Sequence, residues 1–142
     1  MSAANPYILL GGEDGVRKLA NAFYDVMDEL PEARTIRNMH KENLDQVKEH
    51  LFMFLTGWFG GPPLYYEAKG TVCLTEPHRP YHIGPEERDQ WLMCMDKALD
   101  RIGASDELKE MVREPFFQLA DTVRNRDSSE RPKLPDNVIA VG

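Results

Sequence analysis

Four segments of the chain place hydrophobic residues three and four positions apart, which is the period of an α-helix that buries one face. The first segment follows a Gly-Gly pair and ends near Pro31, and Glu13 and Asp14 suit the positive end of its helix dipole. Its apolar positions are Val16, Leu19, Ala20, Phe23, Tyr24, Met27 and Leu30. We therefore predict a long helix here, followed by a short turn in "PEARTIRNM".

The second periodic segment is "KENLDQVKEHLFMFLTGWFGG", with an apolar face at Leu44, Val47, Leu51, Phe54, Leu55 and Trp58. Asn43 or Asp45 is suited to cap its start. A Gly-Gly-Pro sequence ends it, because glycine permits a left-handed cap and proline cannot continue a helix. The following "PPLYYEAKGTVCLTE" has no regular period and predicts an ordered loop anchored by Tyr65 and Tyr66, with a short strand at "GTVCLTE" as the alternative.

The third and fourth segments complete the predicted set of helices. The third begins at Pro85, which fits the first position of a helix, and ends at Gly103. Its buried side comprises Trp91, Leu92, Met95, Ala98, Leu99 and Ile102. The fourth has Ser105 or Asp106 as its cap and Pro115 as an expected kink. Its inward-facing positions are Leu108, Met111, Val112, Phe116, Leu119, Ala120 and Val123. Together the four segments predict an all-α fold.

Composition narrows the classes of function. At 142 residues, with 42% hydrophobic and 29% charged residues, the chain is typical of one soluble domain, here residues 1–125, with a mobile polar tail at 126–142. A formal net charge of -7 argues against nucleic acid or an anionic membrane as partner. Two cysteines form no disulfide framework, and neither a signal peptide nor a membrane-length segment is present, so we expect a cytoplasmic protein.

The most informative chemistry lies in "TEPHRPYHIGP", where two histidines occupy a proline-rich corner before the third helix. His78 and His82 are four residues apart, but with Cys73 they supply too few ligands for a structural zinc site. No serine-nucleophile or phosphate-loop motif is present, and Cys94 lies among apolar residues, where a thiol is usually inert. Simple surface or core roles for the histidines remain open.

A haem site needs fewer protein ligands than a structural zinc site, because one imidazole and an apolar cage suffice. The flat and flexible side chains available for such a cage are Phe23, Leu51, Phe54, Leu55, Phe59, Trp91, Met95, Phe116 and Leu119. The same residues also describe an ordinary helical core. From the residues alone, the chain is therefore either a haem-binding protein or a helical interaction domain without haem.

The order and spacing of four motifs resemble the truncated haemoglobins of the second group. These motifs are "FYDVM", "PEARTIRNMH", "FLTGWFGGPPLYYEAKG" and "HRPYHIGPEERDQWLMCMDKAL", and the resemblance covers about residues 7–124. It implies a two-over-two helical sandwich around haem b, a shortened globin rather than the eight-helix arrangement. It also implies that His78 is the proximal ligand of the haem iron, with His82 near the haem edge.

The resemblance assigns further residues to the haem pocket. Tyr24 falls on a helix-B tyrosine that points at the bound ligand, and Trp91 on the tryptophan that defines the group. His40 falls on a variable position, although a gap would shift that position to Arg37. The remaining haem contacts implied are Val47 and Leu51 on the distal side, Phe54, Tyr81, Ile83 and Met95 around the ring, and His50 or Arg79 at a propionate.

The resemblance also implies the function. We expect reversible binding of O2, NO, CO or other diatomics at an iron that can be pentacoordinate, with an internal ligand from His40 or Tyr24 as an alternative. Hydrogen bonds from Tyr24, Trp91 and His40 would slow O2 release, which favours nitric-oxide dioxygenation or peroxidase-type chemistry, served by an unidentified reductase, over transport. A gas or redox sensor and a haem-handling module are the alternatives. We expect a monomer or weak homodimer.

Overall fold

The computed structural model describes residues 5–70 and 75–125. Within these ranges the chain forms helices joined by turns and contains no strand, which confirms the all-α prediction. The helices are α1 (Pro6–Leu10), α2 (Glu13–Glu29), α3 (Arg34–Arg37), α4 (Asp45–Trp58), α5 (Leu64–Lys69), α6 (Thr75–His78), α7 (Pro85–Arg101) and α8 (Asp106–Val123), with a 3-10 turn at Pro31–Ala33. The tail, Cys73 and most of the alternative strand lie outside the described residues.

The core lies among the four long helices. Helix α2 packs against both α4 and α7, and α7 also packs against α8. Nearly the whole predicted face of α2 is buried, with Phe23, Leu19 and Val16 entirely inaccessible to solvent. Trp58 at the end of α4 stacks on Phe116 of α8 with ring centroids 4.9 Å apart, so these two helices also meet.

Four short helices, α1, α3, α5 and α6, were not predicted from the sequence. Helix α5 occupies part of the stretch that predicted a loop, and that prediction was wrong for residues 64–69. Helix α1 precedes the first predicted helix, where Pro6 stands in its first turn and the side chain of Asn5 accepts a hydrogen bond from the backbone N–H of Ile8 at 2.9 Å. A helix of five or six residues is too short for a hydrophobic period to show.

Two predicted faces required correction. On α4, Phe52 and Thr56 are buried, whereas Val47, Leu51 and Phe54 are only partly buried. The reason is that α4 serves two surfaces, one packed in the core and one lining the cavity described below. On α8, Met111 was predicted to face inward but is 38% exposed.

The helix ends follow simple capping chemistry. Ser105 accepts a hydrogen bond from the N–H of Leu108 at 3.1 Å, as the sequence predicts for the start of α8. Asn43 accepts one from the N–H of Asp45 at 2.8 Å and so supports the start of α4. Helix α8 continues through Pro115 to Val123. None of the helices in the described part of the chain combines the length and the apolar character needed to cross a membrane.

Helix α1 crosses the start of α2 so closely that only glycine fits at position 15. Gly15 is buried, and a Cβ there would overlap the carbonyl oxygen of Leu10. Alanine normally stabilises a helix interior relative to glycine by about 1 kcal/mol. At this position the overlap reverses the sign.

We predict that Gly15→Ala lowers the free energy of unfolding by about 2 kcal/mol, because α1 must shift away from α2. Urea unfolding followed by far-UV circular dichroism measures this change. Asn21→Ala, at an exposed position of the same helix, is the control and should change stability by less than about 0.5 kcal/mol. A Gly15→Ala variant as stable as the control would contradict the close crossing.

Candidate functional site

A cavity of about 420 Å³ opens among α2, α4, α7 and α8, next to α6 and the loop that follows it. Its walls are mostly hydrophobic, with a few polar side chains that converge on the interior, which is the usual composition of a small-molecule site. Ten of the residues that the sequence predicts for the site line this cavity: Tyr24, His40, Val47, His50, Leu51, Phe54, His78, Tyr81, Ile83 and Trp91.

Two other predicted residues, Met95 and Arg79, are not among the lining residues. Met95 is 1% exposed and belongs to the hydrophobic core, one turn along α7 from Trp91. Arg79 lies on the exposed side of the loop that follows α6. Helix α7 thus presents Trp91 to the cavity and Met95 to the core.

His78 is the last residue of α6, and both His78 and the preceding Pro77 line the cavity. The helix ends there because the chain turns at once, with the N–H of Tyr81 donating to the carbonyl of His78 at 3.1 Å. His82 comes after this turn and does not line the cavity, so the two histidines do not share a helix face. Within the described ranges no three His, Cys, Asp or Glu side chains are grouped to hold a metal ion.

Tyr24 of α2 and Trp91 of α7 line the cavity from different helices, and Phe23 supports both. The Phe23 ring makes an edge-on contact with Tyr24 at 4.9 Å and a tilted contact with Trp91 at 5.1 Å between centroids. Tyr24 is only 8% exposed, and burial raises the pKa of its hydroxyl well above the usual range. The phenol therefore stays protonated at neutral pH and can donate a hydrogen bond.

His40 completes this wall with a ring 5.5 Å from that of Tyr24, centroid to centroid. Its Nδ1 lies 2.8 Å from the carbonyl oxygen of Ile36. Because a carbonyl only accepts, Nδ1 carries the proton, and in the neutral ring Nε2 keeps its lone pair. Burial lowers the pKa of His40, the hydrogen bond to Ile36 partly opposes this effect, and nearby Arg37 and His78 lower the pKa further. The wall therefore combines a phenol, an indole and a neutral imidazole.

Arg37, the alternative to His40 at the variable position, is held outside the cavity. Its guanidinium donates to the carboxylate of Asp28 at 2.8 Å and to the carbonyls of Lys41 and Glu42 at 3.0 Å each. Those three bonds also fix the turn between α3 and α4. Of the two alternatives, His40 is the one that lines the cavity.

Other ionisable side chains, on α4 and α7, also line the cavity. His50 on α4 has a pKa lowered by burial and then by nearby Lys69 of α5. Glu87 is 4% exposed, and its carboxylate accepts a hydrogen bond from the N–H of Gly84 at 2.8 Å at the start of α7. Arg88 is paired with Asp121 at 3.0 Å.

Sequence reasoning missed Glu87 as a cavity residue, because acidic residues in a first turn usually signal only a helix start, and it missed the neighbouring Arg88 as well. It also missed Met27, Ile36, Met39, Pro77, Ala120 and Val123 and treated Tyr65 only as a packing anchor. The apolar stripe of α8 that contains Ala120 and Val123 was predicted to face inward, but the pattern does not distinguish a core from a cavity wall.

Comparison with known proteins identifies the family. The model of the bacterial-like globin family matches residues 5–125. The chain belongs to this family. This globin is 33% identical over 120 residues to the group 2 truncated hemoglobin YjbI of Bacillus subtilis (strain 168), a match that covers 84% of this chain and 86% of the relative.

Two solved structures agree with this assignment. The cold-adapted truncated hemoglobin from the Antarctic marine bacterium Pseudoalteromonas haloplanktis TAC125 is 39% identical with a TM-score of 0.82, covering 87% of this chain and 99% of that one. The group II 2-on-2 hemoglobin from the plant pathogen Agrobacterium tumefaciens is 37% identical with a TM-score of 0.82, covering 88% and 97%. The predicted two-over-two globin fold of the second group is confirmed.

Family membership makes this globin a haem protein that binds diatomic gases such as O2. The residues of the cavity fit that group. The walls are apolar, as a porphyrin requires, and an imidazole is available from His78 on a short helix at the cavity edge. His50, which also lines the cavity, offers an imidazole that can hydrogen bond to a carboxylate.

The lowered pKa values of His40 and His50 predict a particular dependence of stability on pH. A histidine whose pKa is depressed by folding binds protons more readily in the unfolded chain, so stability is full above the unfolded pKa and falls as pH drops below it. We predict that His40→Gln loses less stability than the parent between about pH 8 and about pH 5.5.

Urea midpoints across this pH range provide the measurement. Asn21→Gln, which changes an exposed and uncharged side chain of α2, is the control and should follow the parent curve. Parallel curves for His40→Gln and the parent would contradict the burial of a neutral imidazole at position 40.

Proposed function

We propose that the imidazole of His78 would hold haem b in the cavity by ligating its iron, and that Tyr24 and Trp91 would hydrogen bond to a diatomic ligand bound there. The observation that carries the proposal is that these three side chains, on α6, α2 and α7, line one apolar cavity. When bound, haem would supply the coordination site for the gas and would pass on electrons that a separate reductase provides.

The chain's own contribution on the ligand side is a pair of preorganised donors. The hydroxyl of Tyr24 is protonated at neutral pH, and burial raises its pKa so that it stays protonated at alkaline pH as well. The indole N–H of Trp91 is a donor at any pH. A diatomic ligand that gains negative charge would be stabilised by both. A hydrogen bond to a charged acceptor contributes about 1.5–3 kcal/mol, so two of them predict slow release of O2.

Slow release of O2 favours a chemical reaction of the bound gas over its transport. We infer that the physiological reaction is oxidation of nitric oxide to nitrate by O2, or reduction of peroxide, with electrons supplied by a separate reductase. The same donors would help to polarise an O–O bond in either reaction. His40 lies beside Tyr24 with its Nδ1–H committed to the carbonyl of Ile36, so in the neutral ring it leaves donation to the ligand to Tyr24 and Trp91.

At the haem edge, we assign the propionates to His50 and Arg79. His50 lines the cavity beside Lys69, and Arg79 directly follows His78 on an exposed loop. The cytoplasm is the compartment we propose, since a chain with two cysteines, one of them buried, suits a reducing environment.

We predict that His78→Ala abolishes the axial iron–imidazole vibration in the resonance Raman spectrum of the ferrous protein and weakens haem retention. Free imidazole at millimolar concentration should restore the vibration, because the substitution leaves room for the missing ring. His82→Ala is the control and should match the parent spectrum. A parent protein with no Soret band after haem addition would instead favour a helical interaction domain without haem.

We predict that Tyr24→Phe and Trp91→Phe each increase the O2 dissociation rate by about tenfold or more, since each removes one donor to a charged acceptor. Stopped-flow displacement of O2 by CO measures the rate. Tyr66→Phe changes an exposed tyrosine on α5 and should have no effect. Unchanged rates in both cavity variants would show that the ligand lies away from these donors.

A further inference from the structure

Asn125, immediately beyond α8, makes four hydrogen bonds to the loop that follows His78. Its Nδ2 donates to the carbonyls of His78 at 3.1 Å and Tyr81 at 2.8 Å. Its Oδ1 accepts from the N–H of Ile83 at 3.0 Å, and its own N–H donates to the carbonyl of Ile83 at 2.9 Å. We call these four residues the Asn125 clamp.

We propose that the Asn125 clamp positions the proximal histidine, so that Asn125 sets the orientation and strength of axial coordination without touching haem. The inference rests on the proposed role of His78. It starts from the fact that α6 has four residues and ends at His78, so the helix alone gives this residue little support.

The loop after His78 contains Pro80, which has no N–H to donate. A backbone bond from the N–H of Tyr81 to the carbonyl of His78 spans its first turn. Asn125 adds a second donor to the carbonyl of His78. It also hydrogen bonds to the carbonyl of Tyr81 and to the N–H and carbonyl of Ile83. The backbone on the carboxyl side of the proximal residue is therefore fixed from α8.

Asparagine is the side chain that this arrangement needs. Two carbonyls require two donors and one N–H requires an acceptor, all within reach of a short side chain, and the carboxamide supplies this set. Aspartate would keep the acceptor but turn a negatively charged oxygen toward the two carbonyls. Alanine would remove the three side-chain bonds and leave only the backbone bond to Ile83.

The clamp is itself held by an ion-pair cluster at the end of α8. The carboxylate of Asp121 accepts from Arg88 of α7 at 3.0 Å and from Arg124 at 3.0 Å. Arg88 lies in the first turn of α7, which begins two residues after Ile83. The ends of α7 and α8 and the proximal loop thus form one connected unit beside the cavity, to which Arg88 and Ile83 also contribute lining.

The test compares Asn125→Asp, Asn125→Ala and the parent, all as full-length haem-loaded protein. Asn21→Asp makes the same change of charge at an exposed site on α2 and is the matched control. We expect Asn125→Asp to shift or broaden the axial iron–imidazole band and to release haem to an excess scavenging apoprotein about tenfold faster. Asn125→Ala should show a smaller change, because water can solvate the carbonyls it uncovers.

Several outcomes would overturn the proposal. One is an unchanged axial band and a haem-loss rate within about twofold of the control in both variants. Another is a lower melting temperature with an unchanged band, which would make the clamp merely structural. A parent-like band in Asn125→Asp alone would show that the shape of the side chain, and not its donors, is what matters.

A second measurement does not depend on haem coordination. Amide hydrogen exchange at Ile83 should be about tenfold faster in Asn125→Ala than in the parent, whether or not haem is bound, because the acceptor Oδ1 is gone. An unchanged exchange rate at Ile83 would show that the side chain of Asn125 does not hold this N–H. If the parent protein shows slow exchange at Ile83 but no iron–histidine band, the contacts of the clamp are present. The positioning role of Asn125 and the proposed function are then both wrong.

Discussion

The packing of Phe23 between the two donor residues is the interaction on which the site depends most. This ring has no exposed surface, and it contacts Tyr24 on its own helix and Trp91 on α7. Since interiors are close-packed, neither donor can move without disturbing the contact between α2 and α7. The polar groups of the cavity are therefore as rigid as the core that carries them.

Burial also fixes which groups in the cavity are charged. It keeps Tyr24 a neutral phenol and favours a neutral ring at His40, whose Nδ1–H is committed to Ile36. One residue offers a proton and the other a lone pair, and neither requires a counterion inside the cavity. On this wall Tyr24 and His40 thus provide hydrogen-bonding groups without the desolvation cost of a buried ion.

Helical periodicity was sufficient to predict the four long helices and most of the core, because each of them buries an apolar stripe. The resemblance supplied His78, Tyr24 and Trp91, which the structure brings to one cavity. Periodicity failed for α1 and α5, which are too short to show it, and for α4, whose residues divide between core and cavity. Nothing in the sequence pattern indicated Asn125, since its role arises from contacts with residues more than 40 positions away.

Glu87 joins two properties of the molecule in one carboxylate. Its hydrogen bond to the N–H of Gly84 secures the first turn of α7, and the same buried side chain lines the cavity. The charge on this part of the cavity wall and the stability of the start of α7 therefore depend on the same side chain. A substitution that replaced this carboxylate by an apolar group would make the cavity wall less polar toward a bound molecule. It would also remove a hydrogen bond from the start of the helix that carries Trp91.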